Sequence, residues 1–349
     1  MDFLPRWIAL EVTRRCNLDC VHCRSSAEPV APDEELDTGE VLALMDAMAE
    51  LSSPALVLTG GEPLLRGDLF ELLRYGTQRG LRMCVATNGA LLTERHCREF
   101  LAAKVRMVSL SLDGANAAVH DGFRRVPGAF AATLHGAGLL RRHGIPFLVN
   151  SSFSRVNRDS MAAVCDLAKE LGAVAWYMFL VTPSGRGREI LDELIPAGEY
   201  LEILRWHRDR ERAEESLIMR PTCAPYYFRL LAQNPREARR HLDAALATGA
   251  RRGCLAGRSI CFIDACGNLK PCSYFPDAVG NVRETPLRTI WFEAESLRTL
   301  RDPQSLRGAC GSCAFREICG GCRVRAAALR GDFREADPFC PWHGAAALV

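Results

Sequence analysis

The chain has no apolar run long enough to span a bilayer. Its best stretch, Ala173 to Val181, is nine residues, against the ~20 that a membrane helix needs. The N-terminus, Met1-Asp2-Phe3-Leu4-Pro5, lacks the basic and apolar segments of a secretory signal. Charge of one sign is also missing: 44 Lys and Arg against 42 Asp and Glu leave +2, which gives nucleic acid no electrostatic foothold. These absences remove membrane and nucleic acid from the expected partners and place the protein in the cytoplasm. What remains is a globular composition, 48% hydrophobic and 25% charged over 349 residues. That is enough for one large domain and a smaller one.

Cysteine is abundant. Sixteen of them in a reducing compartment point to metal or redox chemistry rather than disulfides. Ten lie from Cys223 onward, which marks a second domain. Near the N-terminus, Cys16, Cys20 and Cys23 fall within one stretch of eight residues. A cubane iron–sulfur cluster takes one protein ligand per iron, so three thiolates leave one iron open to chemistry. The triplet follows the apolar run Trp7 to Thr13, which reads as a strand. It therefore sits on a loop at that strand's C-terminal end, the active face of a parallel α/β barrel. On the triplet alone, a zinc knuckle and a cluster closed by a remote fourth cysteine stay open.

From residue 6 to about 182, strand and helix patterns alternate, giving six βα units. These predict a parallel sheet with crossover helices, in the form of a partial (β/α)6 TIM-like barrel open on one side. The strands end in residues suited to ligand contact: Thr59-Gly60-Gly61-Glu62-Pro63, Thr87-Asn88, Ser111 to Asp113, and Asn150-Ser151-Ser152, with Met178 on strand six. The expected divisions are a barrel over 1–195, a helical linker over 196–250 and a cysteine-rich domain over 251–349. Within the linker, the mixed charges of Arg205 to Arg212 read as a solvated helical face. Cys223, between Pro221 and Pro225, is either an inert loop thiol or a ligand reaching a cluster or substrate. In the last domain Cys254 is followed by twelve residues, Gly267, four residues and Cys272; then come Cys310-x2-Cys313-x5-Cys319-x2-Cys322 and Cys340. Tetrahedral zinc uses similar spacing.

The pattern CxxxCxxC after a first strand resembles the signature of the radical S-adenosylmethionine (SAM) enzymes, with His22 where that family usually carries an aromatic residue. The resemblance implies a [4Fe–4S] cluster on Cys16, Cys20 and Cys23 whose open iron is chelated by SAM. Reductive cleavage of SAM then gives a 5′-deoxyadenosyl radical. By the same likeness Gly60, Gly61, Glu62 and Pro63 line the methionyl amino group. Thr87, Asn88, Ser111 and Asp113 fall where the family contacts ribose and carboxylate, Arg124 is a partner for that carboxylate, and Ser152 and Met178 are further contacts. The C-terminal cysteines resemble the SPASM extension, which implies one or two auxiliary [4Fe–4S] clusters. One would use Cys310, Cys313, Cys319 and Cys340; the other Cys254, Cys272 and Cys322 with Cys261 or Cys266. The chain departs from that pattern in having only Gly320-Gly321 before Cys322, where three residues are usual.

A narrower likeness, carried by Pro221 to Tyr226, Gly253 to Gly257, Ile260 to Ile263 and Pro271 to Pro276, is to the radical SAM enzymes of haem biosynthesis. It implies an iron-tetrapyrrole substrate, Fe-coproporphyrin III, with two propionates oxidatively decarboxylated to the vinyl groups of haem b. An external donor such as flavodoxin or ferredoxin would supply electrons. Arg186, Arg188, Arg229 and Arg258 are candidate partners for propionates. Two other readings compete. A peptide-modifying SPASM maturase would often carry a leader-binding domain before strand one, and none is recognisable. A non-catalytic iron–sulfur electron carrier would have no use for the open-iron triplet.

Overall fold

The structure, a computed structural model, describes residues 3–30, 34–233 and 253–342. Six strands follow one another as expected: β1 (Trp7–Glu11), β2 (Ala55–Thr59), β3 (Arg82–Thr87), β4 (Met107–Ser111), β5 (Phe147–Phe153) and β6 (Ala175–Leu180). Each pairs in parallel with the next. The crossover helices are α1 (Thr38–Leu51), α2 (Leu69–Gln78), α3 (Glu94–Ala102), α4 (Ala117–Arg124), α5 (Ala129–Arg142) and α6 (Met161–Glu170). Asp37 caps α1 in a reciprocal capping box with Glu40, an arrangement that satisfies two otherwise orphaned amides.

The sheet does not stop at six. Beyond α7 (Ala197–Ala213), β7 (Ile218–Thr222) pairs in parallel with β6, and α8 (Tyr226–Ala232) follows. At the opposite edge β8 (Ile260–Ile263) pairs in parallel with β1, and β9 (Asn268–Lys270) and β10 (Gly280–Asn281) fold back antiparallel. The order is β10-β9-β8-β1-β2-β3-β4-β5-β6-β7. The stretch expected to be a helical linker thus also contributes a strand, and its later part, 234–250, lies outside the described residues. The cysteine-rich segment completes the other end of the sheet.

Side chains alternate across each strand. Ile8, Leu10, Leu56, Leu58, Val108, Leu110 and Trp176 are fully or almost fully buried, and Trp176 lies against Trp206 and His207 of α7. This parity belongs to the helix layer. The other parity, including Glu11, Thr59, Ser111, Tyr177 and Phe179, faces the inner side. One hydrophobic core runs from Ile8 to Phe339 and Cys340, so the C-terminal segment packs continuously with the sheet. No helix among the described residues is long and apolar enough to cross a membrane.

Candidate active site and cysteine quartets

The loop after β1 carries Cys16, Cys20 and Cys23, and backbone contacts fix it. Cys16 donates its amide to the Glu28 carbonyl (2.8 Å), and Gly61 and Glu62 donate theirs to Thr13 (2.8 Å) and Arg15 (2.7 Å). The Gly-Gly pair after β2 permits this close approach: a Cβ on Gly61 would stand 2.4 Å from the Arg15 carbonyl oxygen. From the other side, the Arg186 guanidinium donates to the carbonyls of Cys20 (2.9 Å) and Ala27 (3.0 Å).

Each of the three sulfurs accepts one N–H at 3.4 Å: Cys16 from the Leu18 amide, Cys23 from the Ala27 amide, and Cys20 from the Arg124 guanidinium. Burial pushes the Cys16 thiol up to about 12 and raises Cys20, with Arg124 pulling Cys20 the other way. Thiols so placed hold their protons until a metal supplies the opposing charge. Three convergent sulfurs with N–H donors aimed at them fit an iron–sulfur cluster.

Two polar groups flank the loop. Glu62, fully buried, accepts from the Leu64 amide (3.1 Å), the Thr87 hydroxyl (2.7 Å) and the Asn88 amide (2.8 Å). Burial outweighs these bonds and pushes its carboxyl up to about 7. The Asn88 side chain reaches Asn17 of the cysteine loop (2.8 Å). In the second group Asp113 pairs with Arg124 (2.5 Å) and accepts the Ser152 amide (2.7 Å). His22 stacks on Phe123 (4.3 Å between centroids), and burial holds it neutral. Gly60, Gly61, Glu62, Thr87 and Asn88 therefore meet at one side of the loop, and Asp113, Arg124 and Ser152 at the other. Ser111 is half-buried on the same inner face. Met178 does not join them: it shares the parity of Trp176 and is buried in the helix-side core.

The later cysteines form two groups. Cys310, Cys313, Cys319 and Cys340 line one cavity of about 120 Å³ with Tyr226 and Arg229. Arg229 donates to Cys313 Sγ (3.8 Å) and lies over the rings of Trp342 (4.1 Å) and Phe315 (5.0 Å). The second group is Cys223, Cys254, Cys272 and Cys322. Burial raises the thiols of Cys223, Cys272 and Cys322, and the neighbouring sulfurs of this group raise them further. Cys223 follows β7 directly in the left-handed region, at φ 58°; Cys254 precedes β8 and Cys272 follows β9. The two edges of the sheet thus meet at this quartet.

Cys261, expected as its fourth member, is not there. It lies on β8 with the helix-side parity of Ile263, fully buried and beside Arg301, and burial pushes its thiol up to about 12. Cys266 lies among Asp264, Arg14, Glu34 and Glu35. Arg258 is misplaced as a propionate partner too: it stacks on Phe3 (4.8 Å), and its neighbour Ser259 bonds to Arg6 and Trp7 at the N-terminal end of β1. That is the end opposite the cysteine loop.

Each quartet offers four thiolates, the donor set that a cubane iron–sulfur cluster takes, and Cys310, Cys313, Cys319 and Cys340 share one cavity.

Two further residues complete the inner face. Arg24 lies over the Phe262 ring (4.5 Å) and 3.8 Å from Glu11. Tyr274 is half-buried, its ring 6.5 Å from Phe179, within electrostatic reach of Cys223, Arg24, Cys272 and Asp113. Its signals in the sequence were its place two residues after Cys272 and within the Pro271 to Pro276 stretch.

The profile of the Radical SAM superfamily matches residues 10–168, and that of an iron–sulfur cluster-binding domain, SPASM, matches residues 254–323. An AdoMet-dependent heme synthase of Methanosarcina barkeri is 44% identical over 97% of both chains. An Fe-coproporphyrin III synthase of the same organism is 30% identical over 95% of this chain and 87% of its own. Among solved structures, Streptococcus suis SuiB bound to S-adenosylmethionine superposes with a TM-score of 0.74 at 16% identity, covering 97% of this chain and 77% of SuiB. That likeness is one of fold.

Proposed function

We propose that this chain, which belongs to the radical SAM superfamily and within it to the family of the AdoMet-dependent heme synthases, decarboxylates two propionates of Fe-coproporphyrin III to the vinyl groups of haem b. The observation that carries this reading is the Cys223 quartet at the end of β7, with Tyr274 beside the inner-face residue Phe179 and within electrostatic reach of Cys223, Cys272 and Asp113. Oxidative decarboxylation needs such an arrangement. A C–H bond breaks at the propionate β-carbon, the bond to the carboxylate breaks as CO2 leaves, the vinyl double bond forms, and one electron must depart. A four-thiolate iron–sulfur site at the chamber wall is a suitable place for that electron.

The superfamily's cofactors are a [4Fe–4S] cluster and SAM, which together supply a 5′-deoxyadenosyl radical able to abstract hydrogen. The chain's own residues hold and orient. Cys16, Cys20 and Cys23 would bind the cluster, with Arg124 offsetting thiolate charge at Cys20. The Glu62 carboxylate, presented by Thr87 and Asn88, would bind the methionyl amino group. Gly61, donating to the Thr13 carbonyl, and Arg186, donating to those of Cys20 and Ala27, hold the loop's backbone in place. Electrons would arrive from an external donor such as flavodoxin or ferredoxin.

Anaerobic turnover with SAM, a reductant and a panel tests the reading: Fe-coproporphyrin III, metal-free coproporphyrin III and a Cys-containing peptide, with products read by mass spectrometry. Vinyl product from Fe-coproporphyrin III alone is expected. An altered peptide beside untouched porphyrins would favour the maturase reading and overturn this one.

A further inference from the structure

Two arginines follow Cys322 directly, as Cys322-Arg323-Val324-Arg325. Cys322 is the N-cap of the helix Arg323–Arg330. Residues two apart on a helix point about 200° from one another, so these side chains leave opposite sides of its first turn. Both are buried, Arg325 completely. Arg323 donates to Cys310 Sγ (3.4 Å) and to the carbonyls of Phe333 (2.6 Å) and Glu335 (2.7 Å); its charge also acts on Cys254 and Cys322. Arg325 donates to the carbonyls of Cys223 (2.8 Å) and Leu180 (3.4 Å), and its charge acts on the Cys223 and Cys322 thiols. Arg323 thus reaches a sulfur of one quartet, while Arg325, its guanidinium over the rings of Tyr200 (5.2 Å) and Phe339 (5.5 Å), is held on the backbone of Cys223 in the other.

The short Gly320-Gly321 turn fits this geometry. Both glycines have positive φ, 67° and 62°. A Cβ on Gly321 would meet the Arg323 guanidinium at 2.5 Å and Cys310 Sγ at 3.1 Å. Only a bare backbone lets Arg323 cross to the other quartet.

We infer that Arg325 and Arg323 are the charge partners that set the reduction potentials of two separate auxiliary clusters. Arg325 acts on the one held by Cys223, Cys254, Cys272 and Cys322. Arg323 acts chiefly on the one held by Cys310, Cys313, Cys319 and Cys340, and weakly on the first. This rests on the reading above that each quartet holds a cluster. Arginine stays charged at every accessible pH. A fixed positive charge beside a cluster favours the form with one more electron, so its loss lowers the midpoint potential.

The test uses the full chain, anaerobically reconstituted, with Cys16, Cys20 and Cys23 replaced by alanine so that only auxiliary signals remain. Iron content and potentiometric titration followed by electron paramagnetic resonance are read together. Arg325→Gln should lower one midpoint and leave the other; Arg323→Gln should lower the other most and the first slightly. Arg325→Lys and Arg323→Lys should restore the parent values. Gly321→Ala, which displaces the Arg323 guanidinium, should reproduce Arg323→Gln. Iron lost in a Gln variant but kept in the matching Lys variant would also support a charge role. Unchanged potentials with iron intact would overturn the assignment, as would Lys variants that shift or lose iron as the Gln variants do. A parent protein with one auxiliary signal would instead overturn the two-cluster reading beneath it.

Discussion

Replacing Gly61 by alanine should damage the cysteine loop from a position that carries no chemistry. The added Cβ would lie 2.4 Å from the Arg15 carbonyl oxygen, 2.6 Å from that of Arg14 and 2.8 Å from the Arg15 carbonyl carbon. All three are backbone atoms and cannot rotate away. Overpacking of this kind costs about 1–3 kcal/mol. Relieving it separates the Gly61 and Glu62 amides from the Thr13 and Arg15 carbonyls, at about 1 kcal/mol for each bond. Whether the clash stays or the two bonds are given up to relieve it, the expected destabilisation is about 1–3 kcal/mol, a large share of the ~5–15 kcal/mol that holds a typical protein folded. A loop that yields instead of unfolding moves Cys16 with Arg15, and a shift of ~1 Å at reacting groups can cost about 100-fold in rate. Anaerobic urea unfolding and the rate of 5′-deoxyadenosine formation measure both. Gly122→Ala, inside α4 where a Cβ meets nothing within 4 Å, is the control: it should leave 5′-deoxyadenosine formation unchanged and raise stability by up to about 1 kcal/mol. A Gly61→Ala protein within roughly 0.5 kcal/mol of the parent, with full 5′-deoxyadenosine formation, would refute the close-packing argument.

Reconstituted parent protein should hold about twelve irons, four per cubane. Alanine at Cys16, Cys20 and Cys23 together should leave about eight and abolish 5′-deoxyadenosine, as read by iron assay and chromatography. Glu62→Gln should change the pH dependence of stability. With its carboxyl raised by burial to about 7, folded Glu62 keeps a proton that the unfolded chain has released above pH ~4.5. Stability therefore falls as pH rises through that window and levels off above about 7, by about 3 kcal/mol in total from this group. The difference between variant and parent in urea unfolding at pH 5 and pH 8, without SAM, should show this slope in the parent only.

Much of this architecture was legible because it is local. Alternating periodicity marks the six βα units, and the triplet and the Gly-Gly-Glu-Pro turn are contiguous. β7 was hidden by Pro221, which reads as a strand breaker. It is tolerated because β7 is an edge strand, where a missing amide leaves no ladder bond unmade. β8 was hidden by its four-residue length and by a partner, β1, at the far end of the chain. The fourth member of the inner quartet followed from neither spacing nor motif. Cys261 and Cys266 are nearer to Cys254 in sequence, but strand alternation turns Cys261 to the helix layer. Cys223 arrives from 31 residues upstream of Cys254, because the sheet's two edges converge. Met178 was misjudged for the same reason as Cys261: which face a strand residue takes depends on register that only the assembled sheet fixes.

A Cys223 quartet that takes the electron released on decarboxylation would couple radical formation to vinyl formation. The measurement is 5′-deoxyadenosine and vinyl product quantified in one anaerobic reaction with Fe-coproporphyrin III, for the parent, Cys223→Ser and Cys261→Ser. The parent and Cys261→Ser should give one 5′-deoxyadenosine for each vinyl group formed. Cys223→Ser should go on cleaving SAM while vinyl product fails to keep pace, with altered auxiliary-cluster resonance signals. Parent-like coupling in Cys223→Ser would return Cys223 to an inert turn and contradict the account.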